Sequence, residues 1–241
     1  MHAKADRTPR HFLLLPAAGS GQRMAGDRPK QYLELLGKPV LQHTLERLGS
    51  LGCFERIVLV LAAGDPWWPA IREQLPAALQ DSVLVADGGR ERCHSVLSGL
   101  AALKGIAVND DWVLVHDVVR PCVHADDVNK LLQTLEGDAV GGLLATPVRE
   151  TLKRGDSGGL VAQTVDRAGL WYAATPQMFR YHLLQEALQS AVAADRVVTD
   201  EAEAVEAAGL AVRLVQGRPD NIKLTFPEDM KLAELILGAL R

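Results

Sequence analysis

The chain has 241 residues, 48% hydrophobic, 23% charged and only 5% aromatic, an ordinary globular composition with enough apolar material for one sizeable core. Twenty-six Lys and Arg against 30 Asp and Glu leave a net charge of −4, which excludes a global basic field drawing the protein onto nucleic acid or an anionic membrane. Any anionic ligand must therefore meet a local cationic cluster, and the longest apolar runs, such as Ile57 to Gly64, fall far short of the ~20 residues of a membrane span.

The polar start MHAKADRTPRH lacks the apolar core of a secretory signal, so it is expected to be a loose tail on a cytoplasmic protein. Apolar strand-length runs then alternate with segments of helical period. His11 to Pro16 reads as a buried first strand before a glycine-rich loop, and Pro39 to Leu51 sets Leu41, Leu45 and Leu48 on one helical stripe. Arg56 to Ala62 is a second strand, followed by a Trp67-Trp68 stretch with several prolines. Next come a strand at Ser82 to Ala86, a helix from Arg92 to Lys104, a strand at Trp112 to His116 and a helix at Asp126 to Glu136. Near-continuous Val, Ile and Leu strands separated by helices imply a mainly parallel sheet covered on both faces, an α/β three-layer sandwich of Rossmann-like kind.

The pattern changes between about Thr146 and Leu170, where alternating apolar and polar residues flank a Gly/Asp/Ser turn and predict a protruding two-stranded β-arm. A lone hairpin is marginal in water, so the arm should pack on a second copy of the chain, giving a homodimer. Helices at Arg180 to Ala193 and Asp200 to Ala208, strands at Ala211 to Val215 and Asn221 to Phe226, and a last helix opened by Pro227 complete the chain, read as a single domain over 1–241.

Three cysteines, Cys53, Cys93 and Cys122, form no C-x-x-C pair, which argues for reduced thiols. Cys93-His94 and Cys122-Val123-His124 with His116 match none of the paired-ligand spacings of a zinc cluster.

The segment PAAGSGQRM, Pro16 to Met24, follows the first strand at the carboxyl edge of the sheet, where open α/β folds bind ligands. Gly19 and Gly21 let backbone amides approach phosphate oxygens, and Arg23 and Lys30 bring cations to the same place. Met24 occupies the third glycine position of a dinucleotide fingerprint and no G-K-[ST] follows, so the loop is neither that fingerprint nor a Walker loop. Asp117, at the end of VLVHDVVRP, sits at the same edge, where a carboxylate can hold Mg²⁺ directly or through water or simply cap a turn; His116 beside it reads as a packing histidine. DGGRERCHS repeats the strand-then-glycine arrangement with Arg90, Arg92 and Ser95 at a helix entry. Thr151, Lys153, Arg154 and Arg167 give the arm a basic, hydroxylic face that also reads as a solvated charged surface. Lys223, set among apolar neighbours in GRPDNIKLT, needs an anion or a carboxylate. In VTDEAE, Thr199 or Asp200 can cap the next helix, and capping accounts for much of that motif.

Together these segments resemble the 2-C-methyl-D-erythritol 4-phosphate cytidylyltransferases of the non-mevalonate isoprenoid pathway. PAAGSGQRM with PKQY, DGGRER, VLVHD-x-x-RP, TPVRETLKR, TVDR-x-GLW, TPQ-x-F, TDE and GRPDNIK stand in the family's order and spacing, with the arm and NIK segments the most specific. The resemblance implies a Rossmann-like nucleotidyltransferase fold and transfer of CMP from CTP to methylerythritol phosphate, with release of pyrophosphate, in a dimer with Mg²⁺. It further implies that Pro16, Ala17, Ala18, Gly19, Ser20, Gly21 and Arg23 cradle the triphosphate, with Gly88, Arg92 and Ser95 binding cytidine. Arg23 and Lys30 would face the α-phosphate, and Asp117, Arg120, Thr199 and Lys223 would line the acceptor site. Thr151 and Arg167 would reach the partner's acceptor through exchanged arms. This chain has Val118 and Val119 where HDAARP is common, and Cys93-His94 where Ala-Asp or similar pairs are common. The alternatives are a D-ribitol 5-phosphate cytidylyltransferase, which shares the first loop and the HD-x-x-RP strand end, and a nucleotide-binding module without turnover.

Overall fold

The computed structural model describes residues 7–19 and 28–240. The chain runs β1 (His11–Pro16), a 3-10 turn at Lys30–Tyr32, the two-residue strands β2 (Glu34–Leu35) and β3 (Lys38–Pro39), then α1 (Val40–Gly49) and β4 (Phe54–Leu61). Next are α2 (Trp68–Gln74), α3 (Ala77–Ser82), β5 (Val83–Asp87), α4 (Arg92–Ala102), β6 (Trp112–Val115), α5 (Ala125–Leu135) and β7 (Gly141–Pro147). An arm of β8 (Leu152–Gly155) and β9 (Val161–Val165) leads to β10 (Trp171–Arg180), α6 (Tyr181–Ala193), α7 (Glu201–Ala207), β11 (Arg213–Gln216) and α8 (Pro227–Ala239).

Seven of these strands form one sheet in the order β11-β7-β10-β6-β1-β4-β5, parallel throughout except for β10, which is antiparallel to both neighbours. Alternation along β1 shows why both faces are covered. Phe12 and Leu14 enter a core cluster with Val96 and Leu100 of α4 and Leu184 and Leu188 of α6. Leu13 and Leu15 enter the opposite cluster with Leu41 and Leu45 of α1, Leu131 of α5 and Leu237 of α8. The α/β three-layer reading therefore holds.

The prolines after Trp67 open helices rather than prevent them: Pro69 lies in the first turn of α2 and Pro76 is the N-cap of α3. The arm forms as expected, with Leu152 opposite Val165 and Lys153 opposite Thr164. One expected element is absent. Residues 221–226 belong to no sheet, because the groups a ladder would use are taken individually. Leu224 N–H donates to Val119 O at 2.9 Å, while the Asn221 and Leu224 carbonyls accept from Arg120 Nη1 at 2.8 Å and Lys30 Nζ at 3.1 Å. The strand β10 goes beyond the sequence reading, which gives no strand there.

Candidate active site

Two adjoining crevices open at the carboxyl ends of β1, β5 and β6. The larger, about 410 Å³, is lined by Pro16, Ala17, Ala18 and Gly19 after β1, by Lys30, by Ser95 and the 89–92 turn, and by Val118 and Val119. The smaller, about 200 Å³, is lined by Arg120, Thr175, Gln177, Thr199 and Asp200. Arg92, Asp117 and Lys223 face both, and so form their common wall.

Asp117 is the centre of that wall. Its Oδ1 accepts from Arg92 Nη2 at 3.2 Å, and its Oδ2 lies 3.0 Å from Lys223 Nζ and 3.4 Å from Arg120 Nε. Burial alone pushes its carboxyl up, but Arg92, Lys223 and Arg120 together outweigh that and hold it well below the usual carboxylate range. The strand end is fixed from behind. Asp117 N–H donates to Thr175 Oγ1 at 3.0 Å, and the same hydroxyl pairs with His116 Nδ1 at 3.0 Å. His116 Nε2 meets Arg120 O at 3.2 Å, and complete burial brings its pKa down to about 4, so it stays neutral and serves packing, as the sequence suggests.

Arg92 is locked by a second carboxylate. Both of its terminal nitrogens donate to the buried Glu201, and burial, which disfavours the guanidinium charge, is outweighed by Glu201 and Asp117. Glu201 opens α7, whose N-cap is Asp200: its side chain accepts from Glu203 N–H at 2.9 Å, while Gln177 Nε2 donates to Asp200 Oδ2 at 2.9 Å. Thr199 is placed in the smaller crevice with its hydroxyl 2.8 Å from Glu203 Oε2.

In the larger crevice, cations outnumber carboxylates by two among the lining residues, which is the local cationic cluster that a net-negative protein needs to meet phosphates. Gly88 is required by packing, since a Cβ there would lie 2.2 Å from Ala18 Cβ. Ser95 Oγ accepts from Gly89 N–H at 3.1 Å and fixes the turn beside it. Val118 and Val119 are 3% and 5% exposed and belong to the hydrophobic cluster under the crevice, so the core absorbs much of their bulk.

Of the residues singled out by sequence, Pro16 to Gly19, Lys30, Arg92, Ser95, Asp117, Arg120, Thr199 and Lys223 converge on these crevices. Ser20, Gly21 and Arg23 lie outside the described residues. Thr151 and Arg167 sit on the exposed arm, with Arg167 bonded to Arg149 O and neither residue among the described lining of the two crevices. Sequence reasoning missed Gln31, whose amide holds Ala17 O at 2.7 Å and Gly19 O at 3.0 Å, as well as Thr175 and Glu201.

A mainly parallel α/β sheet whose carboxyl edge carries a cation-rich double crevice, one lobe built from a glycine-bearing loop, is suited to phosphate-bearing ligands, and the matches that follow make the chain a nucleotidyltransferase. The sequence model of the 2-C-methyl-D-erythritol 4-phosphate cytidylyltransferase (IspD) family matches residues 12–239. Proteins of that name from Azoarcus sp. (strain BH72) and Dechloromonas aromatica (strain RCB) are 53% and 50% identical, over 95% and 96% of this chain and 95% and 99% of theirs. A crystal structure of 4-diphosphocytidyl-2C-methyl-D-erythritol synthase superposes with a TM-score of 0.82 at 36% identity, covering 95% of this chain and 99% of that one. The 2-C-methyl-D-erythritol 4-phosphate cytidylyltransferase of Francisella tularensis gives 0.79 at 31% identity, over 94% and 99%. The chain belongs to the 2-C-methyl-D-erythritol 4-phosphate cytidylyltransferase family.

Proposed function

We propose that this chain transfers CMP from CTP to 2-C-methyl-D-erythritol 4-phosphate, giving 4-diphosphocytidyl-2-C-methyl-D-erythritol and pyrophosphate. The observation that supports the reading is the wall of Arg92, Asp117 and Lys223 shared by two crevices, an arrangement suited to a nucleotide in one and an acceptor in the other. CTP occupies the larger lobe, its triphosphate along Pro16 to Arg23 and its cytidine against Gly88, Arg92 and Ser95. The acceptor occupies the smaller, against Arg120, Thr199 and Lys223.

An oxygen of the acceptor phosphate attacks the α-phosphorus in line, a new P–O bond forms as the bond to the leaving pyrophosphate breaks, and the electron pair leaves with pyrophosphate. That oxygen is already anionic at neutral pH, so no protein nucleophile or general base is needed. The neutral, buried His116 fits this account. Catalysis rests on positioning and on cations facing the α-phosphate, the work of Arg23, Lys30 and Lys223. Both Asp117 oxygens are already engaged by Arg92, Arg120 and Lys223. The carboxylate therefore suits Mg²⁺ reached through water and carried in by the nucleotide, not an inner-sphere site. Bound Mg²⁺ supplies neutralisation of phosphate charge.

In the homodimer of this reading, exchanged arms bring Thr151 and Arg167 to the partner's acceptor lobe. The arm's exposure supports this: Leu160 and Val161 are 70% and 63% exposed, apolar surface that a second copy would cover. The test is pyrophosphate release with Mg²⁺ and CTP, running methylerythritol phosphate, ribitol 5-phosphate and no acceptor in parallel. Release with methylerythritol phosphate alone is expected. Release with ribitol phosphate alone would reassign the acceptor, and silence with both in folded protein would leave a nucleotide-binding module.

A further inference from the structure

Three dissimilar ligand atoms meet at the amino end of α4, on the rim of the larger crevice. Among the described residues, Glu91, Cys93 and His94 bring a carboxylate oxygen, a sulfur and a ring nitrogen within 4.8 Å of one another. Cys93 Sγ lies 3.5 Å from His94 Nδ1 and 4.0 Å from Glu91 Oε2. With Zn–S of about 2.3 Å and Zn–N or Zn–O of about 2.1 Å, tetrahedral coordination separates sulfur from either partner by roughly 3.6 Å. The thiol and imidazole already stand at that spacing, while the Glu91 carboxylate lies about 0.4 Å beyond it from the sulfur and must swing toward both partners to complete the set.

The surroundings allow this. The Glu91 side chain is 44% exposed and can swing, and its pairing with Arg90 is long, at 3.8 Å, to an arginine side chain that is 78% exposed and turns into water at little cost. The turn at Gly89 packs closely on the base of His94, since a Cβ on Gly89 would lie 2.3 Å from His94 Cβ. A thiolate with an imidazole selects a borderline or soft dication over Mg²⁺, which prefers all-oxygen ligands. Three protein ligands leave a fourth position for water.

We infer that Glu91, Cys93 and His94 bind Zn²⁺ or a similarly thiophilic divalent cation at a site separate from the Mg²⁺ that accompanies the nucleotide. Binding replaces the S–H bond of Cys93 with a metal–sulfur bond, and the proton is released to solvent. Because Arg90 and Glu91 also line the larger crevice, the metal sits at the edge of the nucleotide lobe.

The test titrates the full chain with Co²⁺ in excess Mg²⁺ and without nucleotide, followed by displacement with Zn²⁺. One equivalent of Co²⁺ should bind with a thiolate-to-cobalt charge-transfer band in the near ultraviolet, and one equivalent of Zn²⁺ should remove it. Cys93→Ser should abolish the band. His94→Ala, at a partly exposed position, should weaken binding by at least about tenfold, and it serves as the second probe should Cys93→Ser fail to fold. Cys53→Ser should leave the titration unchanged. Absence of the band at one equivalent, its persistence at full strength in His94→Ala, or its loss in Cys53→Ser would overturn the site.

Discussion

Strand β6 has a buried aspartate beyond each of its ends, and the two carboxylates are satisfied by different kinds of partner. Asp111, at the amino end and 0% exposed, accepts from two backbone amides, Arg10 at 2.9 Å and Val108 at 3.0 Å, and from Arg7 Nη2 at 2.6 Å and Arg10 Nη2 at 3.0 Å. Asp117, at the carboxyl end, is held by three cationic side chains, two of which face both crevices. Amides belong to the fold and cannot leave. Cations around a crevice carboxylate can share their charge with an arriving phosphate. The same residue type on the same strand thus pins the amino-terminal segment at one end and organises a reaction site at the other, as expected where ligands bind beyond the carboxyl ends of parallel strands.

The largest effect expected is at the crevice. Lys30→Ala should lower kcat by roughly 100- to 1000-fold, about 3–4 kcal/mol of transition-state stabilisation, with a nearly unchanged denaturation midpoint. Near-normal turnover in steady-state assays would remove Lys30 from the chemistry and blur the contrast between the two ends.

Asp111→Asn should instead cost about 2–4 kcal/mol of stability, because it strips the charge from a buried, fully hydrogen-bonded carboxylate and strands its arginine partners. Urea unfolding measures this. Burial pushes the Asp111 carboxyl up, but the amides of Val108 and Arg10 and the arginine side chains hold it below its ordinary value. Its stabilisation is therefore fully present above about pH 4 and drains as pH falls below that toward the native pKa, so wild-type and Asp111→Asn unfolding curves should converge in acid. Curves that stay parallel below about pH 4 would show that the Asp111 charge is not what holds this end.

Glu201→Gln sharpens the comparison at the crevice end. Glu201 is not among the described residues lining either crevice but grips Arg92 through both terminal nitrogens, so loss of its charge should raise the CTP KM by about tenfold with a smaller change in kcat. Equal losses in kcat and KM effects would point to a general structural role. Arg167→Ala should give the smallest change, about a fivefold rise in the acceptor KM with CTP kinetics preserved, and an unchanged acceptor KM would count against exchanged arms.

How much of this was legible depends on whether local and long-range physics wrote the same pattern. The β1, β4 and β6 runs are apolar enough to read as strands buried on both faces, and α1 and α5 carry their stripes plainly. Lys223 stood out because a charge among apolar residues needs a partner, and Asp117 because it ends an apolar strand at the ligand edge; the two prove to be 3.0 Å apart. Residues 221–226 misled because Ile222 and Leu224 alternate as in a strand, yet that alternation serves packing into the core cluster while side chains from the crevice take the carbonyls. β10 escaped notice because Trp171–Ala173 pair only with β7 near the arm, whereas Gln177–Phe179 pair with both β6 and β7, and the sequence between carries Pro176 and a register shift. Glu201 was hidden by ordinary helix physics, since an acidic first turn after an Asp cap explains it without reference to Arg92, 109 positions away.

The contrast between the two ends of β6 is tested most directly by acceptor-dependent pyrophosphate release from Asp117→Asn and Asp111→Asn at equal concentrations of folded protein. The account predicts that Asp111→Asn keeps a wild-type kcat/KM while Asp117→Asn loses roughly 10- to 100-fold. Wild-type turnover in Asp117→Asn, or equal losses in both, would contradict it.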